Sequence, residues 1–134
     1  MKTILFSITL LIVAGCSSSL GNPDSINYGQ KFVYEPTREI DFPDFRLKFL
    51  GTKPNGSTGS LQLGAIYEFQ VVTPTTSQVI QWSSGTGDIG PEVFEAQGKC
   101  LWLELRSSDN YGKLQDSEAV ISLDRRKPSS CANR

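Results

Sequence analysis

The stretch LQLGAIYEFQVVT, residues 61–73, carries the longest β-strand signal in the chain. Successive side chains of an extended strand point to opposite faces, so apolar residues at every second position indicate a strand with one buried face. Gly64 interrupts the other face and predicts a β-bulge. The positions predicted to share the buried face are Leu61, Leu63, Ala65, Tyr67, Phe69 and Val71.

Shorter strand signals lie on both sides of this stretch. Turn-forming residues separate them, as in the glycine-containing segment 53–60 and the predicted tight turn at 98–99. No run longer than ten residues beyond the N-terminal segment has a helical period. We therefore predict an all-β fold of six to eight strands, an antiparallel β-sandwich of immunoglobulin type, with a small β-barrel as the alternative. The other predicted strands are 31–35, 45–49, 78–83, 92–97, 100–106 and 119–123.

Composition excludes several classes of function. The chain of 134 residues has no histidine, which removes Ser-His-Asp and Cys-His catalysis and the commonest metal ligand. The formal net charge is −1, so the basic footprint of a nucleic-acid-binding protein is missing. We expect no enzymatic activity, no catalytic or metal-binding residues, no cofactor and no nucleic-acid partner.

A glycine-rich loop follows the predicted strand 78–83. It lacks the Gly-Lys-Ser/Thr ending of a phosphate-binding loop, and no helix is predicted after it. The loop is interpreted either as a turn that requires unusual backbone conformations or as a segment that contacts a partner, since loops on rigid β scaffolds often bind ligands or partners. Its candidate contact residues are Ser83, Ser84, Gly85, Thr86, Gly87 and Asp88.

Two tryptophans are candidate interface anchors, because tryptophan is enriched among residues that dominate binding energy. Trp82 ends a predicted strand just before the glycine-rich loop. Trp102 alternates with Leu101 and Leu103, so it belongs to the opposite face of its strand. That face is either exposed or covered by further structure, and both interpretations stay open for Trp102.

The N-terminal segment has the zones of an export signal. Lys2 precedes an apolar run over residues 4–13, which is too short to cross the ~30 Å hydrocarbon core as a helix. The run ends in Val13-Ala14-Gly15-Cys16, which resembles the lipobox of bacterial lipoproteins. The resemblance implies cleavage before Cys16 and acylation of its thiol, and two or more acyl chains anchor a protein stably. The alternative is an ordinary secretory signal that leaves Cys16 as a plain cysteine.

Three regions follow from this interpretation: a signal peptide at 1–15, a lipidated flexible tether at 16–30 and a single β-domain at 31–134. The tether assignment rests on its serines, glycine and proline and on its few apolar residues. Ser17 stands where an aspartate retains lipoproteins in the inner membrane of enteric bacteria. For a Gram-negative host, the resemblance therefore implies the outer membrane, with the domain facing the periplasm.

The chain has three cysteines. With Cys16 lipidated, Cys100 and Cys131 remain, and an oxidising compartment favours one disulfide between them. The alternative is a pair of free or buried thiols.

These observations favour a lipid-anchored, non-catalytic protein of the cell envelope. Its β-domain would bind a protein partner or form part of an envelope assembly. One alternative is an inhibitor or immunity lipoprotein against a hydrolase or toxin, with Ser83-Ser84-Gly85 as the inserting element. Small lysozyme-inhibitor lipoproteins are similar in size, anchor and disulfide, although only in architecture. A second alternative is a carrier of small ligands.

Overall fold

The computed structural model describes residues 25–58, 61–62, 64–85, 90–108, 112–125 and 131. Cys16, the predicted signal peptide and most of the predicted tether lie outside these residues. Within the described part of the chain, no helix has the length and apolarity needed to cross a membrane.

The described residues form strands and no helix, as predicted. The strands are β1 (Lys31–Val33), β2 (Glu39–Asp41), β3 (Arg46–Pro54), β4 (Ser57–Thr58), β5 (Leu61–Gln62), β6 (Ala65–Val72), β7 (Ser77–Ser83), β8 (Glu92–Ala96), β9 (Lys99–Glu104), β10 (Ser107–Ser108), β11 (Gly112–Lys113) and β12 (Glu118–Leu123).

Eight of these strands build two antiparallel sheets of four. The first sheet has the order β1-β12-β9-β8 and the second β2-β3-β6-β7, while β4-β5 and β10-β11 form small hairpins. The predicted antiparallel β-sandwich is confirmed, and the two sheets do not join into a closed barrel. The second sheet is a plain meander, and so is the first apart from β1 beside β12. This order is simpler than the Greek key that an immunoglobulin domain has.

The core lies between the sheets and is rich in aromatic residues. Phe69 and Val71 of β6 are fully buried, which confirms the predicted inner face of this strand. Leu47 on β3 and Leu101 and Leu103 on β9 are equally inaccessible. The aromatic core residues are Phe32, Tyr34, Phe42, Phe45, Phe69, Trp82 and Phe94.

The long predicted strand 61–73 is divided near Gly64. A Cβ atom at Gly64 would lie 1.8 Å from the backbone oxygen of Ser84, so only glycine fits this approach. The register irregularity that marks a bulge occurs instead on β3, between Phe49 and Gly51, where Gly51 has a φ of 137°. The prediction correctly identified an unusual position at Gly64, but the cause is a close backbone contact.

Other boundaries differ from the predicted ones for local reasons. β2 was not predicted, because Ile40 is its only apolar residue. The strand is held by pairing with β3 and by ion pairs from Arg46 to Glu39 at 3.2 Å and to Asp41 at 2.9 Å. β3 continues to Pro54, into the segment predicted as a loop. The tight turn between β8 and β9 is centred on Gln97 and Gly98, with φ of 50° and 70°, the left-handed pair of a two-residue hairpin.

The strand registers give the sandwich two distinct ends. Ser25, the first described residue, lies at the end that we call proximal, and Asp44 and Lys99 join the two sheets there at 2.6 Å. At the opposite, distal end, the Tyr34 backbone N–H donates to the Ser117 carbonyl at 2.9 Å. The proximal end comprises residues 25–28, 42–45, 73–76, 97–98 and 124; the distal end comprises residues 34–38, 52–56, 83–85, 105–106 and 114–117.

Candidate functional site

The predicted disulfide between Cys100 and Cys131 is present, with a Cα–Cα distance of 4.9 Å. Cys100 is buried in β9 close to the proximal end. The bond brings Cys131 against the outer edge of β8, where its backbone N–H donates to Glu95 Oε2 at 3.3 Å. This strand edge is therefore partly covered by chain that the disulfide holds in place, which is a common protection of edge strands.

The predicted contact loop is anchored where the structure describes it. Ser83 is the exposed last residue of β7, whereas Ser84 is only 3% exposed and Gly85 is partly buried. The Ser84 hydroxyl accepts from the Ala65 N–H at 3.0 Å and donates to the Ala65 carbonyl at 3.2 Å. Ser84 is therefore not an exposed inserting element, and the inhibitor hypothesis loses that part of its mechanism. Thr86, Gly87 and Asp88 lie outside the described residues.

The two candidate anchor tryptophans occupy different environments. Trp82 is 3% exposed, and its ring packs against Tyr67 at 5.6 Å, so it presents little surface to a partner. Trp102 lies on the outer face of β9 and is partly buried. Its indole N–H donates to Asp124 Oδ2 at 3.2 Å, which fixes the ring near the proximal end.

A cleft of about 250 Å³ opens between the sheets at the distal end. Its floor is aromatic and aliphatic, and its rim is polar and exposed. β3, β6 and β7 supply one wall, while the residues after β1 and β9 and before β12 supply the other. The lining residues are Tyr34, Phe49, Thr52, Tyr67, Trp82, Leu105, Arg106, Leu114, Gln115, Asp116 and Ser117.

Most ring pairs of the floor meet edge to face, whereas Phe49 and Tyr67 are stacked at 6.5 Å with an interplanar angle of 28°. Tyr34 meets Phe49 at 4.8 Å with an interplanar angle of 63° and Tyr67 at 6.4 Å with 83°. Tyr67 and Trp82 are cross-strand partners on β6 and β7, and their planes are 67° apart. Such T-shaped contacts use ring faces for internal packing. Among the described residues, Tyr34 and Trp82 use their rings for internal packing, and Phe49 and Tyr67 are the partly exposed rings of the recess.

Two exposed charges of opposite sign stand at this cleft. The Arg106 guanidinium lies 5.9 Å from the centre of the Trp82 ring, within cation–π range. Within the described ranges, neither Arg106 nor Asp116 forms an ion pair. Both act on Tyr34: burial, Tyr67 and Asp116 raise the pKa of its hydroxyl to about 12, and Arg106 opposes that rise.

The rim turn that carries Asp116 is strained. Its ends are joined by the Glu118 N–H to the Gln115 carbonyl at 3.0 Å and by the Gln115 N–H to Glu118 Oε2 at 2.7 Å. Ser117 within it has a φ of 66°, a left-handed conformation that is costly for a residue with a Cβ atom. Gln97 in the hairpin turn at the proximal end is also left-handed, so the conformation of Ser117 alone does not mark the cleft as a site.

A second, more open concavity of about 620 Å³ lies at the proximal end, beside Ser25. Its charges are already used within the fold. Asp44 accepts from the Tyr28 hydroxyl at 2.5 Å and from Lys99 Nζ at 2.6 Å. Burial alone would raise the pKa of the Asp44 carboxyl, but these hydrogen bonds and the charge of Lys99 together lower it. This groove has fewer free recognition groups than the distal cleft.

The cleft residues Tyr34, Arg106, Asp116 and Ser117 were not predicted as site residues. They come from separate segments, and none belongs to a motif with fixed spacing. Over the ranges that the structure describes, no three His, Cys, Asp or Glu side chains are grouped closely enough to hold a metal ion.

A scan against protein-family models finds no match, and searches of curated proteins and of solved structures find none either. The function proposed below is therefore argued from the chain's own sequence and structure.

Proposed function

We propose that this protein is a lipid-anchored, non-catalytic lipoprotein of the cell envelope whose β-domain binds a protein partner through the distal cleft. The observation that carries this proposal is the position of the cleft at the end of the sandwich opposite Ser25. Within the predicted tether 16–30, the Ile26 N–H donates to the Asp41 carbonyl at 2.8 Å and the Gly29 N–H to the Ile121 carbonyl at 2.7 Å, so residues 25–30 belong to the sandwich. A domain tethered through residues 16–24 keeps the distal end free to meet a partner.

The size and lining of the cleft support an interface with another polypeptide. At about 250 Å³ it is smaller than the ~300–1,000 Å³ of pockets that enclose small molecules. A buried aromatic floor inside a polar rim is the arrangement of a binding hot spot, in which one partner side chain fills a desolvated recess. The same size disfavours a small-ligand site at the distal cleft, whereas the proximal concavity of about 620 Å³ falls within that range.

The anchor is tested by metabolic labelling with a fatty-acid analogue in a bacterial host. We expect the full-length protein to incorporate the label and to fractionate with membranes, and Cys16→Ser to lose both properties. Ser17→Ala is the matched control, because it changes the neighbouring residue and leaves the thiol. A Cys16→Ser protein that kept label and membrane association would refute lipidation at this position.

The binding surface is tested by site-specific photo-crosslinking of the lipidated full-length protein in its native host. A photoreactive residue replaces Thr52 or Gln115 on the cleft rim, or Thr75 at the proximal end as the control; all three are exposed. We expect both rim positions to yield the same cross-linked protein and Thr75 to yield none of it. Equal adducts from Thr75, or no adduct from either rim position, would contradict binding through the cleft.

A further inference from the structure

The Arg106 guanidinium, which forms no ion pair with the described residues, is the feature of the cleft that the proposed function leaves unexplained. Arg46, the comparable arginine near the proximal end, lies within 3.2 Å of Glu39 and 2.9 Å of Asp41. Arg106 is exposed and has no such partner among the described residues, and its guanidinium stays beside the Trp82 ring. Its position is therefore defined by packing, while its hydrogen-bond donors remain available.

We propose that the distal cleft accepts one large apolar side chain of the partner polypeptide and that Arg106 binds a carboxylate adjacent to that side chain. This inference rests on the proposed function and specifies the chemistry of the partner. A guanidinium presents a planar set of donors that matches a carboxylate in a two-point arrangement. An extended chain carries neighbouring side chains within reach of both the recess and its rim.

The floor of the cleft selects the apolar group. Tyr34 and Leu105 are buried at its base, and Tyr67 is partly buried beside them. Phe49 and Tyr67 keep part of their surface exposed at the recess. An aromatic or branched aliphatic side chain inserted there therefore removes apolar surface from water on both sides, which is favourable. Asp116 on the rim disfavours a second carboxylate, so the segment we expect carries a single acidic residue beside the apolar one.

A glycan is the competing occupant, and the ring geometry argues against it. A sugar ring is held by stacking on an exposed aromatic face. In this cleft Tyr34 and Trp82 are almost inaccessible, and Phe49 and Tyr67 pack against each other and against Tyr34. A side chain that enters the recess fits this geometry better than a ring that lies flat on a platform.

The chain carries a built-in reporter pair for the test, since it contains two tryptophans. Trp82 lines the cleft, and Trp102 is hydrogen bonded to Asp124 near the proximal end. The indole N–H signals of the full-length lipidated protein in detergent micelles are followed by ¹H–¹⁵N NMR and assigned with Trp102→Phe. The probes are acetyl-Ala-Phe-Asp-Ala-amide, the matching Phe-Asn and Ala-Asp peptides, and chitobiose as a sugar.

We expect the Phe-Asp peptide to shift the Trp82 signal saturably while the Trp102 signal stays in place. The Phe-Asn peptide should bind about tenfold more weakly, because a charge-assisted hydrogen bond is lost. The Ala-Asp peptide should give no saturable shift. Arg106→Gln should bind the Phe-Asp peptide about tenfold more weakly and no longer distinguish it from Phe-Asn. Arg125→Gln, which removes the same charge near the proximal end, should keep the discrimination.

Three results would overturn the inference: equal affinity for the Phe-Asp and Phe-Asn peptides, an Arg106→Gln protein that still discriminates between them, or a Trp82 shift caused by chitobiose and by no peptide. Cross-links from Thr52 and Gln115 that persist in these cases would leave the proposed function standing and reject only the acidic–apolar segment. Absence of those cross-links would instead reject the proposed function itself.

Discussion

The proximal and distal ends of the sandwich are built from similar residues and use them differently. At the proximal end, Lys99 and Asp44 pair at 2.6 Å, and the disulfide closes the chain nearby. At the distal end, Arg106 and Asp116 stand apart from any ion pair of the described residues, and Ser117 is strained. Lys53 and Glu68 also pair at the distal end, at 2.6 Å. The contrast between the two ends therefore rests on Arg106 and Asp116, which form no ion pair with the described residues.

Two tyrosines make the same contrast at the level of single hydroxyl groups. Burial raises the pKa of both. The Tyr28 hydroxyl also donates to Asp44 at 2.5 Å, which strengthens the rise and ties the phenol into the proximal structure. Burial and the charges of Tyr67 and Asp116 raise the pKa of the Tyr34 hydroxyl to about 12, and the charge of Arg106 opposes this rise. The charges that act on its hydroxyl, Asp116 and Arg106, belong to the cleft rim.

Loss of the disulfide should have the largest effect, lowering the free energy of unfolding without changing partner contact at the cleft. It closes a loop with a sequence separation of 31, for which the loop-entropy model gives roughly 3–4 kcal/mol. We expect Cys131→Ala to lower the free energy of unfolding in urea by that amount, with rim cross-links retained where the protein is folded. Wild-type protein in a reducing agent is the control and should match the variant. Unchanged unfolding midpoints would show that the proximal end does not depend on this bond.

Gly64→Ala should have the next largest effect, this time at the distal end. The new Cβ would clash with the Ser84 backbone oxygen, and forced overpacking typically costs about 1–3 kcal/mol. Because Ser84 follows Trp82 by two residues, the displacement should also move the Trp82 indole signal. Gly90→Ala is the control, since a Cβ there meets nothing within 4 Å. If both variants unfolded at the same urea concentration, the close approach would not be a real constraint.

Asp44→Asn should give the smallest effect, a loss of stability that is present above about pH 4 and disappears in acid. A carboxyl whose pKa is lowered by folding stabilises the protein above its unfolded value of about 3.9, and this contribution is lost as the pH falls through the lower folded value. The variant should therefore show a flatter dependence of unfolding free energy on pH below about 4. Urea unfolding from about pH 2 to pH 6 measures it. Asp116→Asn, which removes no ion pair of a described residue, should keep the wild-type acid slope; an Asp44→Asn profile parallel to wild type would contradict the assignment.

The β-sandwich could be predicted because alternation is a local signal. Phe69 and Val71 are buried on one side of β6, while Glu68 and Gln70 lie on the other. The alternation of apolar and polar residues can therefore be recognised within this one strand. β2 escaped prediction because a strand of three residues with one apolar side chain carries no period. The pairing of Cys100 with Cys131 could be predicted only after Cys16 had been assigned to the lipid.

The distal cleft could not be predicted, because it exists only where distant segments meet. Tyr34, Tyr67 and Trp82 each look like ordinary strand residues in the sequence. The Tyr67–Trp82 contact follows from the β6–β7 register, but the approach of Tyr34 and Arg106 depends on how one sheet packs on the other. Trp82 was expected at a surface because tryptophan favours interfaces. Strand alternation around Ile80 would have placed it inside.

The separation of the two ends limits how far from the membrane this protein can act. Between Cys16 and Ser25 the chain extends at most ~30 Å, and the nine residues of β3 cover another ~30 Å along the sandwich. If Cys16 carries the lipid as proposed, the cleft cannot rise more than about 60 Å above the bilayer surface. A partner must present its acidic–apolar segment inside that layer, so the length of the tether selects among partners before any side chain makes contact.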